Sequence, residues 1–134
     1  MGVIKKENIS LQTIKQYLQN NPKIADQILN LNKSYIFFKQ NKQGATGSLG
    51  VELKAFRNIA VDRRYIPFGY PVFLQTTNPL NNNSLSKLTI AADTGGAIKG
   101  EIRADLFCGF GEKAKLIAGK MKQKGKLYIL IPNN

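Results

Sequence analysis

Residues 88–107 read LTIAADTGGAIKGEIRADLF, and this stretch decides how the rest of the chain is read. It opens as a buried strand, because Leu88, Ile90, Ala91 and Ala92 are apolar or small and Thr89 is β-branched. It then meets Asp93-Thr94-Gly95-Gly96, where two adjacent glycines permit backbone angles and close approaches that a Cβ forbids. Beyond Ala97-Ile98 and Lys99-Gly100, a second strand-like run leads to Asp105, and Leu106-Phe107 returns to a core. Two carboxylates therefore stand at strand edges, one beside a glycine turn and one among apolar neighbours. A carboxyl group desolvated beside an open groove can keep a proton near neutral pH.

Working outward, Ser10 is a candidate N-cap for a helix with Leu11, Ile14 and Leu18 on one face. Asn20-Asn21-Pro22 breaks it, and Pro22 suits the first turn of a second helix carrying Ile24, Ile28 and Leu29. Residues 1–33 thus form a helical docking segment, and 34–134 a β domain. In that domain Ser34–Gln40 is expected to be a buried strand, followed by a glycine-punctuated loop to Gly50. Short strands are expected at 51–53, 58–61 and 71–75, with an exposed asparagine-rich loop over 78–86. A helix is expected from about Glu112 to Lys122, with Ala114, Ile117, Ala118 and Met121 as its apolar stripe and Gly125 as a C-cap signal. A last strand covers 126–131.

At 134 residues, 43% hydrophobic and 21% charged, the chain has the size and composition of one ordinary globular domain. No apolar run is long enough to span a bilayer, and Met1–Asn8 lacks the apolar core of a secretory signal. Histidine is absent and cysteine occurs once, as Cys108, which excludes His-dependent triads and leaves no ligand set for a structural zinc. There is no phosphate-binding loop or dinucleotide fingerprint, so no cofactor or metal is expected. Proton chemistry would fall mainly to the eight carboxylates. The net charge of +12 favours polyanions. With the lysines scattered along the chain and no recognition motif, nucleic acid is not the expected partner, and anionic bacterial wall polymers would be drawn by the same field.

Four pieces together carry a resemblance: Ala60-Val61-Asp62, Ile66-Pro67-Phe68-Gly69, Asp93-Thr94-Gly95-Gly96-Ala97-Ile98-Lys99-Gly100 and Arg103-Ala104-Asp105-Leu106-Phe107. They resemble the three-aspartate (3D) domain in the version of the membrane-bound lytic murein transglycosylase A (MltA) family. The likeness extends from about Ser10 to Pro132 and includes Asn32–Phe38, with Lys33 where the family usually has Pro.

The resemblance implies a mainly β fold with flanking helices, a six-stranded double-psi β-barrel. It implies lytic cleavage of the β-1,4 bond between N-acetylmuramic acid and N-acetylglucosamine in peptidoglycan, giving 1,6-anhydromuramoyl ends. Asp105 matches the catalytic aspartate, with Asp93 as its supporting carboxylate. Asp62, Gly95, Gly96, Lys99 and Gly100 are the candidate substrate-binding residues. On the residues alone, Asp105 and Asp93 admit a second role, bonding the backbone of nearby turns, and Asp62 reads as a turn-maker. Tyr35, Phe37, Phe38 and Phe110 offer faces for sugar stacking, and Cys108 stands where the family often has Trp.

Set against the family, the chain begins after an N-terminal region and carries no export signal. It is therefore expected to be a fragment, a split product or a small relative. The alternative function is a weakly active or silent glycan-binding remnant, with a separate chain as the possible source of the rest of the groove. The family implies a periplasmic or outer-membrane location, and a cytoplasmic one follows if the chain is a split product.

Overall fold

The computed structural model describes residues 6–34, 37, 40 and 44–133. It divides into two compact units, residues 1–40 and 41–134. The first holds a 3-10 turn, Lys6–Asn8, and two helices that contact each other, α1 (Leu11–Asn20) and α2 (Pro22–Leu29). Ser10 caps α1 as its residue type demands: its Oγ accepts the Thr13 N–H at 3.1 Å, and its own N–H donates to Thr13 Oγ1 at 2.8 Å. Pro22 opens α2, where a missing N–H costs nothing. The strand expected at Ser34–Gln40 falls largely on residues outside those described; Phe37, which is described, is exposed.

The second unit is mainly β. Its strands are β1 (Asn58–Val61), β2 (Pro71–Thr77), β3 (Ser84–Asp93), β4 (Ala104–Leu106) and β5 (Lys126–Ile129), in sheet order β4-β1-β3-β2-β5. Helix α3 (Gly111–Lys120) lies between β4 and β5 in the chain. Strands β2 and β3 form an antiparallel hairpin from Pro71↔Ile90 to Thr77↔Ser84, so β3 begins inside what the asparagine content marks as loop. The remaining turn closes on itself: the Asn78 N–H donates to the Asn83 carbonyl, and Asn78 and Asn81 side chains accept from Leu80 and Asn83. The expected strand at 51–53 is reduced to one bridge, Thr46↔Glu52.

Ile59, Val61, Ile66, Val72 and Ala91 form the core of the sheet, with Ala104, Leu106 and Leu127 packed against it. Cys108, Ala114 and Ile117 form a second cluster with Phe56 and Met121, so α3 is held by the stripe its sequence shows, except that Ala118 is exposed. Gly125 does not cap α3, which ends at Lys120. A Cβ there would lie 2.6 Å from the Gln75 carbonyl oxygen, and the glycine lets the chain press onto β2.

Candidate active site

The link from β3 to β4 decides where the carboxylates go. Strands β3 and β4 flank β1 on opposite sides, so residues 94–103 must pass over the end of β1. Two bonds pin that passage to β1: Thr94 Oγ1 donates to the Val61 carbonyl at 2.9 Å, and the Gly100 N–H donates to Asp62 Oδ2 at 3.0 Å. Gly100 has φ of 108°, the left-handed region that a side chain disfavours. Gly95 and Gly96 do not need such angles; the conformational demand in DTGGAIKG falls on its last glycine.

Asp62 directly follows β1 and is only 4% exposed. Its carboxylate accepts from the Arg64 side chain, the closest contact being Nη2 at 2.6 Å, and from the Arg64 and Gly100 N–H groups. The Arg64 guanidinium first, and then the Gly100 amide, hold its carboxyl well below the usual carboxylate range. Near neutral pH Asp62 is therefore an anion occupied by internal donors, which fits the turn-making role that its position suggests.

Asp93 ends β3 and takes its side-chain direction from a bulge. The ladder with β1 runs Ile59↔Ala91 and then Ala60↔Asp93, leaving Ala92 as the extra residue. Leu85, Thr89 and Ala91 are buried, and plain alternation would send Asp93 inward with them. The bulge reverses that phase. The Ala92 carbonyl accepts the Leu49 N–H at 2.9 Å, and Gly47 sits against the same oxygen. The Ser48 N–H and Oγ both donate to Asp93 Oδ1, at 2.9 and 2.7 Å. Loop 44–53 thus holds the bulge and one face of Asp93.

Asp105 is the middle residue of β4 and pairs with Ala60 from the other side of β1. In-register residues share a face, so Asp93, Ala60 and Asp105 stand side by side on one surface. Two strand spacings put the two aspartate Cα atoms about 10 Å apart, not the few ångströms at which carboxylates repel strongly. The expectation that Asp105 is desolvated by Ala104 and Leu106 is overturned: it is 47% exposed. Those neighbours turn to the core, and the same alternation turns Asp105 out.

Arg103 accompanies Asp105, with Nε 3.1 Å from Oδ1 and Nη2 3.3 Å from Oδ2, while its Nη1 donates to the Ala97 carbonyl at 2.8 Å. One guanidinium therefore ties the carboxylate to the glycine turn. Asp105 opens onto a groove of about 510 Å³ bounded by β4 and by Ala118, Met121, Lys122 and Gln123. Lys99 and Gly96 are exposed, and Gly95 and Gly100 are half-buried. Phe110 is exposed, its ring edge-on to Phe107 at 5.5 Å, whereas Cys108 is buried. Among the described residues no group of acidic and cysteine side chains is assembled that could hold a metal.

Three partners escaped the reading of the sequence: Ser48, Arg64 and Arg103. The two arginines were within reach: Arg103-x-Asp105 has the spacing of side chains on one side of extended chain, and Asp62-x-Arg64 that of a turn in which the Arg64 N–H donates to Asp62 Oδ1. Ser48 lies 45 residues from Asp93, and only the tertiary fold brings it there.

A mainly β sheet that gathers three aspartates around one strand end is the arrangement of a 3D domain. Residues 57–131 match the family model for the 3D domain, and residues 1–39 match the MltA specific insert domain. The chain belongs to the MltA family. It is 33% identical over 138 residues to membrane-bound lytic murein transglycosylase A of Vibrio cholerae, a match covering 96% of this chain and 37% of that protein. MltA from Neisseria gonorrhoeae, in its monoclinic crystal form, superimposes with a TM-score of 0.86 at 42% identity, over 98% of this chain and 34% of that one. Escherichia coli MltA with bound chitohexaose gives 0.81 at 29% identity, over 96% and 40%. The chain thus spans little more than a third of the length of these relatives. No helix among the described residues is long and apolar enough to cross a membrane.

Proposed function

We propose that this chain carries the acid–base half of a lytic murein transglycosylase, with Asp105 as its catalytic residue. One observation carries the reading: Asp105 and Asp93 share a sheet face across Ala60, and Asp105 opens onto a groove. Asp105 donates its proton to the glycosidic oxygen as the bond from C1 of the muramoyl residue breaks. The muramoyl 6-hydroxyl then closes onto C1, and Asp105 takes the hydroxyl proton, which returns the enzyme to its starting state. The nucleophile belongs to the substrate, so one carboxyl group suffices where ordinary glycosidases need two.

For Asp105 to hold a proton, the bound glycan has to displace water and draw Arg103 away. Both groups are exposed, so the pair holds weakly against an arriving ligand. Asp93, fixed by Ser48, supports the charge that develops on the same face. Asp62 holds the turn through Gly100, and Gly95, Gly96 and Lys99 present its outer side to the sugar. The five strands belong, in this reading, to a six-stranded double-psi β-barrel, and the work is done in the periplasm or at the outer membrane.

A second reading, a glycan-binding domain without turnover, is favoured by the exposure of Asp105 and its pairing with Arg103. Digestion of purified sacculi separates the two. The first reading expects anhydromuropeptides from the wild type and none from Asp105→Asn; the second expects bound sacculi and no product from either.

A further inference from the structure

Lysine recurs at every second position through Lys120, Lys122, Lys124 and Lys126, with no acidic residue between them. Read along the chain they are the basic end of α3, but the helix stops at Lys120 and Met121 is extended, with φ of −69° and ψ of 105°. Extended chain sends alternate side chains to opposite sides. Met121 and Gln123 accordingly turn in and line a small hollow with Gly125 and Leu127, while Lys122, Lys124 and Lys126 stand exposed. Among the described residues none of the four lysines is in an ion pair.

The row is firmly mounted. Thr76 Oγ1 donates to the Lys124 carbonyl at 3.0 Å, and Gly125 is pressed against Gln75. It also leads away from the candidate acid. Lys122 lines the groove of Asp105, Lys124 and Lys126 line an adjoining hollow of about 700 Å³, and Gln123 borders both. From Lys122 to Lys126 the row covers about 13 Å. Two carboxylates line these hollows: Asp105, which Arg103 engages, and Glu101 beside the second. Like charges held in line with so little local compensation favour an anionic ligand whose charges repeat along its length.

We propose that Lys122, Lys124 and Lys126 form a track for the carboxylates of a murein strand, so that the site prefers anionic murein to a neutral glycan of the same length. The choice of occupant rests on the murein reading above. The carboxylates have two sources, the lactyl groups of the glycan and the stem peptides.

The test uses the full chain carrying Asp105→Asn, which keeps the ligand intact, and measures Kd for a neutral chito-oligosaccharide, an amidase-stripped murein glycan and a stem-bearing one, at about 20 and about 200 mM salt. Changing all three lysines to Gln is expected to weaken the anionic ligands roughly tenfold and flatten their salt dependence, with the neutral ligand unchanged; changing them to Arg retains binding. Equal affinity for stripped and stem-bearing strands assigns the lactyl groups, and tighter binding of the stem-bearing strand assigns the peptides. Unchanged affinity in the Gln variant, or equal loss for neutral and anionic ligands, overturns the track and leaves the reaction standing. An oligonucleotide of matched charge that binds more tightly than every murein ligand also overturns it. Failure of all three glycans to bind removes the murein reading with it.

Discussion

Asp93 and Asp105 lie on opposite sides of a single residue, Ala60, each in register with it through a different ladder of β1. The relationship exists because β3 carries one residue too many. Were Ala92 an ordinary ladder residue opposite Ala60, Asp93 would face the core while Asp105 stayed outside. The two carboxylates thus flank a small side chain, and in the proposed reading a sugar ring rests on the floor between them.

That floor is testable at its centre. Ala60 is half-buried, so Ala60→Leu is expected to change stability by no more than about 1 kcal/mol. It should nonetheless abolish retention on purified sacculi by filling the space between the aspartates. Undiminished cosedimentation of a folded Ala60→Leu variant contradicts the placement of the glycan.

Gly47 is the point where loop 44–53 meets the bulge, and a Cβ there would collide with the Ala92 carbonyl oxygen. Backbone cannot yield as a flexible side chain does. Gly47→Ala is expected to cost about 1–3 kcal/mol in urea unfolding. A smaller loss than Gly96→Ala, where a Cβ meets open space, counts against a rigid dock.

Asp62 links stability to pH. Its carboxyl titrates below its ordinary value because Arg64 and Gly100 bind the anion. A carboxylate depressed in the folded state stabilises the fold at every pH above its unfolded value, and that contribution is lost as the pH falls from about 4 through the folded value. Asp62→Asn should therefore melt below the wild type at pH 7, with the gap closing as the pH is lowered beyond about 4. A gap that holds constant down to pH 2 denies the anion its role.

Cys108 packs against Ala114 and Ile117, and burial pushes its thiol up from the ordinary range. Alkylation by iodoacetamide at pH 8 should be slow in the native chain and rapid in urea. Fast native labelling would mean that α3 is not docked as described.

Local chemistry carried much of this fold. Ser10, Pro22 and the stripe of Ala114 and Ile117 mark their helices through capping and periodicity, and β1 and β2 follow from short apolar runs. The bulge at Ala92 has no local signature: its cause is Leu49, far along the chain, reaching the Ala92 carbonyl. Asp105 misled for a related reason. Apolar neighbours predict burial for a helix or loop residue, whereas in a strand they predict the opposite for the residue between them. Gly125 was legible as a glycine with a purpose, but that purpose, contact with Gln75, lies across the sheet.

The central claim concerns one proton and one bond, and the products report on it most directly. Purified sacculi are digested in water enriched in oxygen-18 by the wild type and by Asp105→Asn, and the fragments are weighed by mass spectrometry. The account predicts 1,6-anhydromuramoyl ends without the heavy isotope from the wild type, and none from the variant. Labelled reducing ends, or the same yield of anhydro product from Asp105→Asn, would contradict it.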